Sequence, residues 1–249
     1  MNAVTLITGA SQGIGASTAR LLAAQGHALL IHYAHRADLA QAVADQCTEL
    51  GAPSAIIAQA DMACASDILR LFATADAALP PLTGLVNNAG VIDHTARLDE
   101  MDAERLTRMF AVNVVGPMLC AREAVQRMSA RHGGRGGVIV NVSSSAVRNG
   151  SPALYVDYAA SKGAIDVFTQ GLAKEVAGEG VRVCAVRPGI TATGIHSTGG
   201  EPDRAERLGP TLPMGRAAHP EEVAHAIAWL LSDAASYTAG TILDVTGAR

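Results

Sequence analysis

Seven short apolar runs alternate with stretches of helical period along the chain, and that alternation leaves few architectures open. The runs are Val4–Ile7, Ala28–Tyr33, Ala55–Ala58, Gly84–Val86, Val138–Val142, Val181–Val186 and Thr241–Val245. Between them, Ile14–Gln25, Asp38–Leu50, Ser66–Ala78, Met101–Arg131, Tyr155–Ala177 and Pro220–Leu231 place apolar residues near helical spacing. Strands alternating with helices predict a parallel sheet, and strands that read as continuous apolar runs predict that both its faces are covered. Right-handed crossovers then give an α/β fold of three layers around a doubly wound parallel sheet of seven strands. At 249 residues, 49% of them hydrophobic, one domain spanning 1–249 accommodates all of it.

Composition narrows the function classes. Nineteen Lys and Arg against 23 Asp and Glu leave a net charge of −4, which gives no general footprint for nucleic acid, and aromatic residues make up only 3%. Cys47, Cys64, Cys120 and Cys184 are scattered without a CxxC pair, so they read as free thiols. His27, His32 and His35 lie close in sequence but specify no ligand set, so no metal site is expected and they are assigned to surface or packing roles. The first residues lack the basic start and apolar core of a signal peptide, and no run approaches membrane-spanning length. A cytoplasmic protein is expected, without nucleic-acid or membrane partners.

Thr8-Gly-Ala-Ser-Gln-Gly-Ile-Gly15 joins the first strand to the first helix. Backbone amides at a helix N-terminus favour an anion, so the pyrophosphate of a dinucleotide fits there. Gly9 suits the sharp turn, Gly13 the approach of phosphate and Gly15 close helix packing, with Ser11, Gln12 and Ile14 completing the loop. An acid usually ends the second strand of such a fold and binds the adenosine ribose; here Tyr33 holds that place, and His32-Tyr-Ala-His-Arg36 contains no carboxylate. Arg36 could pair with a ribose 2′-phosphate, so NADP(H) is expected over NAD(H), unless Arg36 is simply a solvated residue at a helix start.

Tyr158-Ala-Ala-Ser-Lys162 sets a phenol and an ammonium four residues apart, on one face of a helix. A nearby cation favours the phenolate, which suits a group that donates a proton to a carbonyl oxygen or takes one from an alcohol. Ser143-Ser-Ser145 follows the fifth apolar run and falls at a strand end, where a hydroxyl can orient the reacting oxygen.

These motifs resemble the short-chain dehydrogenase/reductase family, in its single-domain branch of about 250 residues. The likeness spans nearly the whole chain and includes Asn87-Asn-Ala-Gly90, Asn113, Pro188-Gly189 and Ala235-Ser-Tyr-Thr-Ala-Gly-Thr241. It implies a Rossmann fold and hydride transfer with NAD(P)(H) between the nicotinamide and a carbonyl or alcohol. Tyr158 is then the acid-base, Lys162 holds the nicotinamide ribose and tunes Tyr158, Ser144 orients substrate and Asn113 completes a proton relay through water. By resemblance Asn88, Ala89 and Gly90 lie beside the cofactor, Asp61 and Met62 near adenine, and Pro188, Gly189, Ile190, Thr191 and Thr193 near the nicotinamide amide and phosphates. The Asn141-Val-Ser-Ser pattern selects Ser144 over Ser145, which side-chain chemistry alone does not separate. Homotetramers or dimers are also implied, with Met101–Arg131 and Tyr155–Ala177 as interface helices whose apolar faces could equally be core.

Other readings stay open at this level. Asn113 could merely cap or bend its helix. Residues 190–214, rich in glycine and proline beyond a strand end, form a candidate substrate lid or an ordinary surface loop. His196 in that segment could touch substrate or be solvated, and Tyr155 and Asp157 could line the pocket or only cap and pack the helix. The segment His132–Gly137 reads as a flexible turn without function. Alternatives to net redox turnover are a cofactor-binding sensor and an epimerase that retains its nicotinamide. The substrate itself is not specified.

Overall fold

The computed structural model describes residues 3–249. Its seven strands are β1 (Val4–Ile7), β2 (Ala28–Tyr33), β3 (Ala55–Gln59), β4 (Gly84–Asn87), β5 (Gly137–Val142), β6 (Val181–Pro188) and β7 (Ile242–Val245). All pair in parallel, in the order β3-β2-β1-β4-β5-β6-β7. This is the doubly wound Rossmann arrangement expected from the alternation of strands and helices.

Strand side chains alternate between two cores. Ile7, Leu29, Ile31, Val86, Val140 and Val186 pack on one face against α1 (Gly13–Ala24), α2 (Ala37–Glu49) and α10 (Pro220–Leu231). Leu6, Leu30, Leu85, Ile139 and Val183 pack on the other against α3 (Ala65–Ala78), α5 (Gly116–Met128) and α7 (Val156–Val176). Both faces are therefore dry, which is why the strands read as unbroken apolar runs rather than as alternating ones.

The expected continuous helix Met101–Arg131 is a correction. The segment instead forms α4 (Ala103–Phe110), a wider π turn over Ala111–Val115, and α5, with a short 3-10 turn at Ala130–His132. A single π turn inside a helix commonly marks a functional position, because it re-aims one side chain without breaking the helix. The side chain re-aimed here is that of Asn113. The turn after it is not free either: the N–H of Gly136 donates to the Met128 carbonyl at 2.7 Å and that of Gly137 to Gly180 at 3.1 Å. A short helix α6 (Ala146–Asn149) follows β5, and the segment after β6 contains α8 (Ile195–Thr198) and α9 (Arg204–Leu208).

Candidate active site

Strand order reverses at β1, with β2 on one side and β4 on the other. The chain leaves β1 and β4 toward opposite faces of the sheet, and a crevice opens above their C-terminal ends. One wall is the glycine loop. Gly9 sits at φ +64°, and a Cβ there would lie 2.8 Å from the Ala89 Cα, so the turn requires glycine on both counts. The Thr8 hydroxyl oxygen accepts the N–H groups of Asn88 and Ala89, each at 3.0 Å. The Asn88 amide donates back to the carbonyls of Thr8 and Gly9, each at 2.9 Å. The side chain of Asn88, expected beside a cofactor, thus holds the loop itself.

The first turn of α1 carries no side-chain cap at Gln12 and no acidic residue. Its amide groups and the positive end of the helix dipole remain available to an anion, so Gly9, Ser11, Gln12, Gly13, Ile14 and Gly15 form a cradle that suits pyrophosphate. Thr193 packs against that cradle, its Cγ2 3.2 Å from where a Cβ on Gly13 would be. Ile190 and Thr191 are buried beside it, the Thr191 hydroxyl donating to the Gly189 carbonyl at 3.1 Å, immediately after Pro188 ends β6.

On the adenosine side, Tyr33 ends β2, and Arg36 is the exposed residue that starts α2. No carboxylate lies within 32–36, but Asp38 binds the Arg36 guanidinium through both oxygens, at 2.9 and 2.7 Å. This bidentate contact pulls the Asp38 carboxyl down to about 2. Asp61 is exposed and its carboxylate accepts the Ala63 N–H at 2.8 Å. Met62 follows it with its side chain buried in the core, the Cys120 thiol 3.9 Å from its sulfur.

The opposite wall carries the polar groups expected to do chemistry. Lys162 is buried, and its Nζ donates to the Val142 carbonyl at the end of β5 at 2.8 Å and lies 5.7 Å from the centre of the Tyr158 ring. A Cβ on Gly90 would sit 3.3 Å from the Asn113 Oδ1 and 3.4 Å from the Lys162 Nζ, so β4, the π turn and α7 converge on one point. Asn113 is fully buried; its amide donates to the Val91 carbonyl at 2.9 Å and its oxygen accepts the Val91 N–H at 2.8 Å. The Ser144 hydroxyl lies near enough to the Tyr158 phenol to influence its ionisation, whereas the Ser145 N–H is tied to the Pro188 carbonyl at 2.9 Å.

Burial pushes the Tyr158 phenol above its ordinary range, and the Ser144 hydroxyl opposes the shift. Burial also lowers the Lys162 ammonium to about 8, partly offset by the charge of Asp166. Desolvation thus acts on both groups of the pair, favouring the neutral phenol and the neutral amine.

Several site residues carried no local sequence signal. Arg105 on α4 binds Asp157 through Nε at 2.8 Å and Nη2 at 3.3 Å, and donates from Nη1 to the His94 carbonyl at 2.7 Å. Asp157 in turn accepts the Tyr158 N–H at 2.9 Å, so it packs and ties the helix start rather than lining a pocket. Tyr155 donates to Glu201 at 2.8 Å, and Glu201 also pairs with Arg204 and Arg207. Burial and that hydrogen bond push the Tyr155 phenol up to about 12, which keeps it a donor. His196 is held by the Thr191 carbonyl at 3.1 Å rather than free in solvent.

The family model described as enoyl-(acyl carrier protein) reductase matches residues 9–247. The chain belongs to the short-chain dehydrogenase/reductase family. It is an oxidoreductase, NAD(P)-dependent as that family is. The chain is 47% identical over 247 residues to an uncharacterized oxidoreductase, YgfF, of Escherichia coli strain K12, an alignment covering 99% of this chain and 100% of that protein. It is 36% identical to a 3-oxoacyl-[acyl-carrier-protein] reductase of Synechocystis, over 98% of this chain and 95% of that one. Among solved structures, a 3-ketoacyl-(acyl-carrier-protein) reductase from Brucella melitensis complexed with NADH superposes with a TM-score of 0.90 at 31% identity, covering 99% of this chain and 98% of that chain. A short-chain dehydrogenase/reductase mutant from Serratia marcescens gives the same TM-score of 0.90 and 31% identity, covering 99% and 97% of the two chains.

Proposed function

We propose that this short-chain dehydrogenase/reductase interconverts a small carbonyl compound and its alcohol, with NADP(H) preferred over NAD(H). The observation that carries the reading is the convergence of Ser144, Tyr158, Lys162 and Asn113 on the crevice beside the glycine cradle. The nicotinamide, when bound, supplies or accepts the hydride at the substrate carbon. Ser144 orients the reacting oxygen and Tyr158 delivers its phenolic proton to that oxygen during reduction. Because burial keeps the phenol protonated through the neutral range, Tyr158 stands ready as a donor, and oxidation of the alcohol gains as pH rises toward its ionisation. Lys162 holds the nicotinamide ribose, and Asn113 keeps the π turn against Val91, where a water relay to Lys162 would run.

Arg36 supports the preference for NADP(H): it is an exposed guanidinium at the end of β2, where such folds place their ribose-binding residue. A 2′-phosphate must compete with Asp38 for it, which makes the preference moderate rather than absolute. Arg36→Ala is expected to raise KM for NADPH about tenfold, the loss of one charge-assisted contact, and to leave KM for NADH unchanged. Steady-state kinetics with both dinucleotides check this, and equal effects on the two would remove Arg36 from the assignment.

The segment 190–214 serves as the substrate lid, seated through Glu201 on Tyr155 one turn before the acid-base. Exposed Met118 on α5 and Val167 on α7 support a homo-oligomer built on those helices. Four unpaired thiols are in keeping with a reducing, cytoplasmic setting. The whole reading is tested by following NADPH and NADH oxidation against a panel of ketones, aldehydes and acyl thioesters. Failure of every carbonyl to consume either dinucleotide would overturn it.

A further inference from the structure

His32 is 1% exposed and lies within β2, beneath the glycine loop. Its Nδ1 accepts the N–H of Gly9 at 2.9 Å, and its Nε2 lies 3.0 Å from the Ala60 carbonyl, beyond the end of β3. Those two contacts fix the ring. An N–H donor on one side and a carbonyl acceptor on the other allow only the neutral tautomer with its proton on Nε2. A doubly protonated ring would turn an N–H toward the N–H of Gly9, at a site buried from solvent.

Gly9 is the residue whose left-handed backbone turns β1 into the cradle, so its N–H anchors the geometry on which the later amides depend. We propose that His32 is a positioning residue for dinucleotide binding: its neutral ring sets the phosphate-binding loop through Gly9, so that affinity for the dinucleotide falls when this one imidazole is protonated. The proposal rests on the dinucleotide reading of the crevice and goes beyond it in assigning a residue outside the cradle. Burial favours the neutral ring, while the Ala60 carbonyl and the charge of Asp61 work against that preference. On the other elements packed here, Asp67 accepts the Asp61 N–H at 2.9 Å and is itself paired with Arg70 at 2.9 Å. The sign follows from the burial. The native protein binds fewer protons at this site than the unfolded chain, so the contribution is complete above the ordinary histidine range and is lost on acidification.

Two variants separate the ring's two contacts. His32→Asn keeps an acceptor near the place of Nδ1 but has no group that titrates, whereas His32→Gln reaches toward Ala60 and leaves the Gly9 N–H without a partner. NADP+ affinity is measured calorimetrically at pH 8 and pH 5.5, with amide exchange of Gly9 followed in the dinucleotide-free protein. At pH 8 the Gln variant is expected to bind about tenfold more weakly than wild type, the effect of orphaning one buried N–H, and to lose Gly9 protection. The Asn variant is expected to stay within about threefold of wild type at pH 8, as a kept hydrogen bond allows. Between pH 8 and 5.5, wild type is expected to lose several-fold more affinity than the Asn variant; titration of the ligand's own 2′-phosphate is common to both and cancels. Equal affinities for all three proteins at both pH values, or unaltered Gly9 exchange in the Gln variant, would overturn the role of His32 and leave the dinucleotide reading standing. Absence of NADP+ and NAD+ binding by wild type at either pH would overturn that reading and the proposal together.

Discussion

Tyr158→Phe is expected to lower kcat for carbonyl reduction by about a thousandfold, within the range attributed to a positioned general acid, while leaving dinucleotide affinity within about twofold. The change removes one oxygen. The ring and its packing near Lys162 remain. Because the phenol is held above its ordinary range, the reductive rate of the wild type should be nearly level through neutral pH and fall only as the phenol ionises. Alcohol oxidation should show the opposite slope. Stopped-flow transients with NADPH and a competent carbonyl, together with fluorescence titration of the dinucleotide, check both parts. Retention of wild-type turnover would remove Tyr158 from the chemistry; loss of dinucleotide binding would make its role structural.

Arg105→Met is expected to cost about 3–5 kcal/mol of unfolding free energy, the loss seen when one partner of a buried ion pair is removed. The Arg105 and Asp157 side chains are only 11% and 0% exposed, so solvent screens this pair little and water cannot replace the guanidinium. Asp157→Asn added to Arg105→Met should recover a large part of the loss, because no buried charge is then left without a counterion. Urea unfolding of the wild type, both single variants and the double variant measures the coupling. Additive losses would show that the pair is not the unit described. Since Asp157 accepts the N–H of Tyr158, the Met variant should also lower kcat more than it raises KM.

The sheet and the cradle were legible because their signals are local. A strand buried on both faces has to be a short apolar run, and a loop that turns at Gly9 and leaves helix amides open has to be glycine-rich. Tyr158 and Lys162 were legible for the same reason, since helical spacing puts them on one face. What escaped was whatever depends on residues far apart in the chain. Arg105 meets Asp157 across 52 positions and Tyr155 meets Glu201 across 46, and neither pair leaves a spacing that could be read in advance. His32 looked like a packing residue because nothing in β2 announces that Gly9 lies above it. Spacing along α7 places the Lys162 cation near Tyr158 but carries no information on how far the fold desolvates the phenol.

The π turn also reaches back to the sequence itself. An extra residue in one turn advances everything downstream by about 100° about the helix axis, so Met101–Arg131 cannot be drawn on one helical wheel. Asn113 meets Val91, and Cys120, Ala121, Ala124 and Met128 reach the sheet, only because of that offset. Deleting any one residue from 111–115 would restore a regular helix and leave either the asparagine or the apolar stripe facing the wrong way. Chain length, and not only side-chain identity, is a constrained quantity in this stretch.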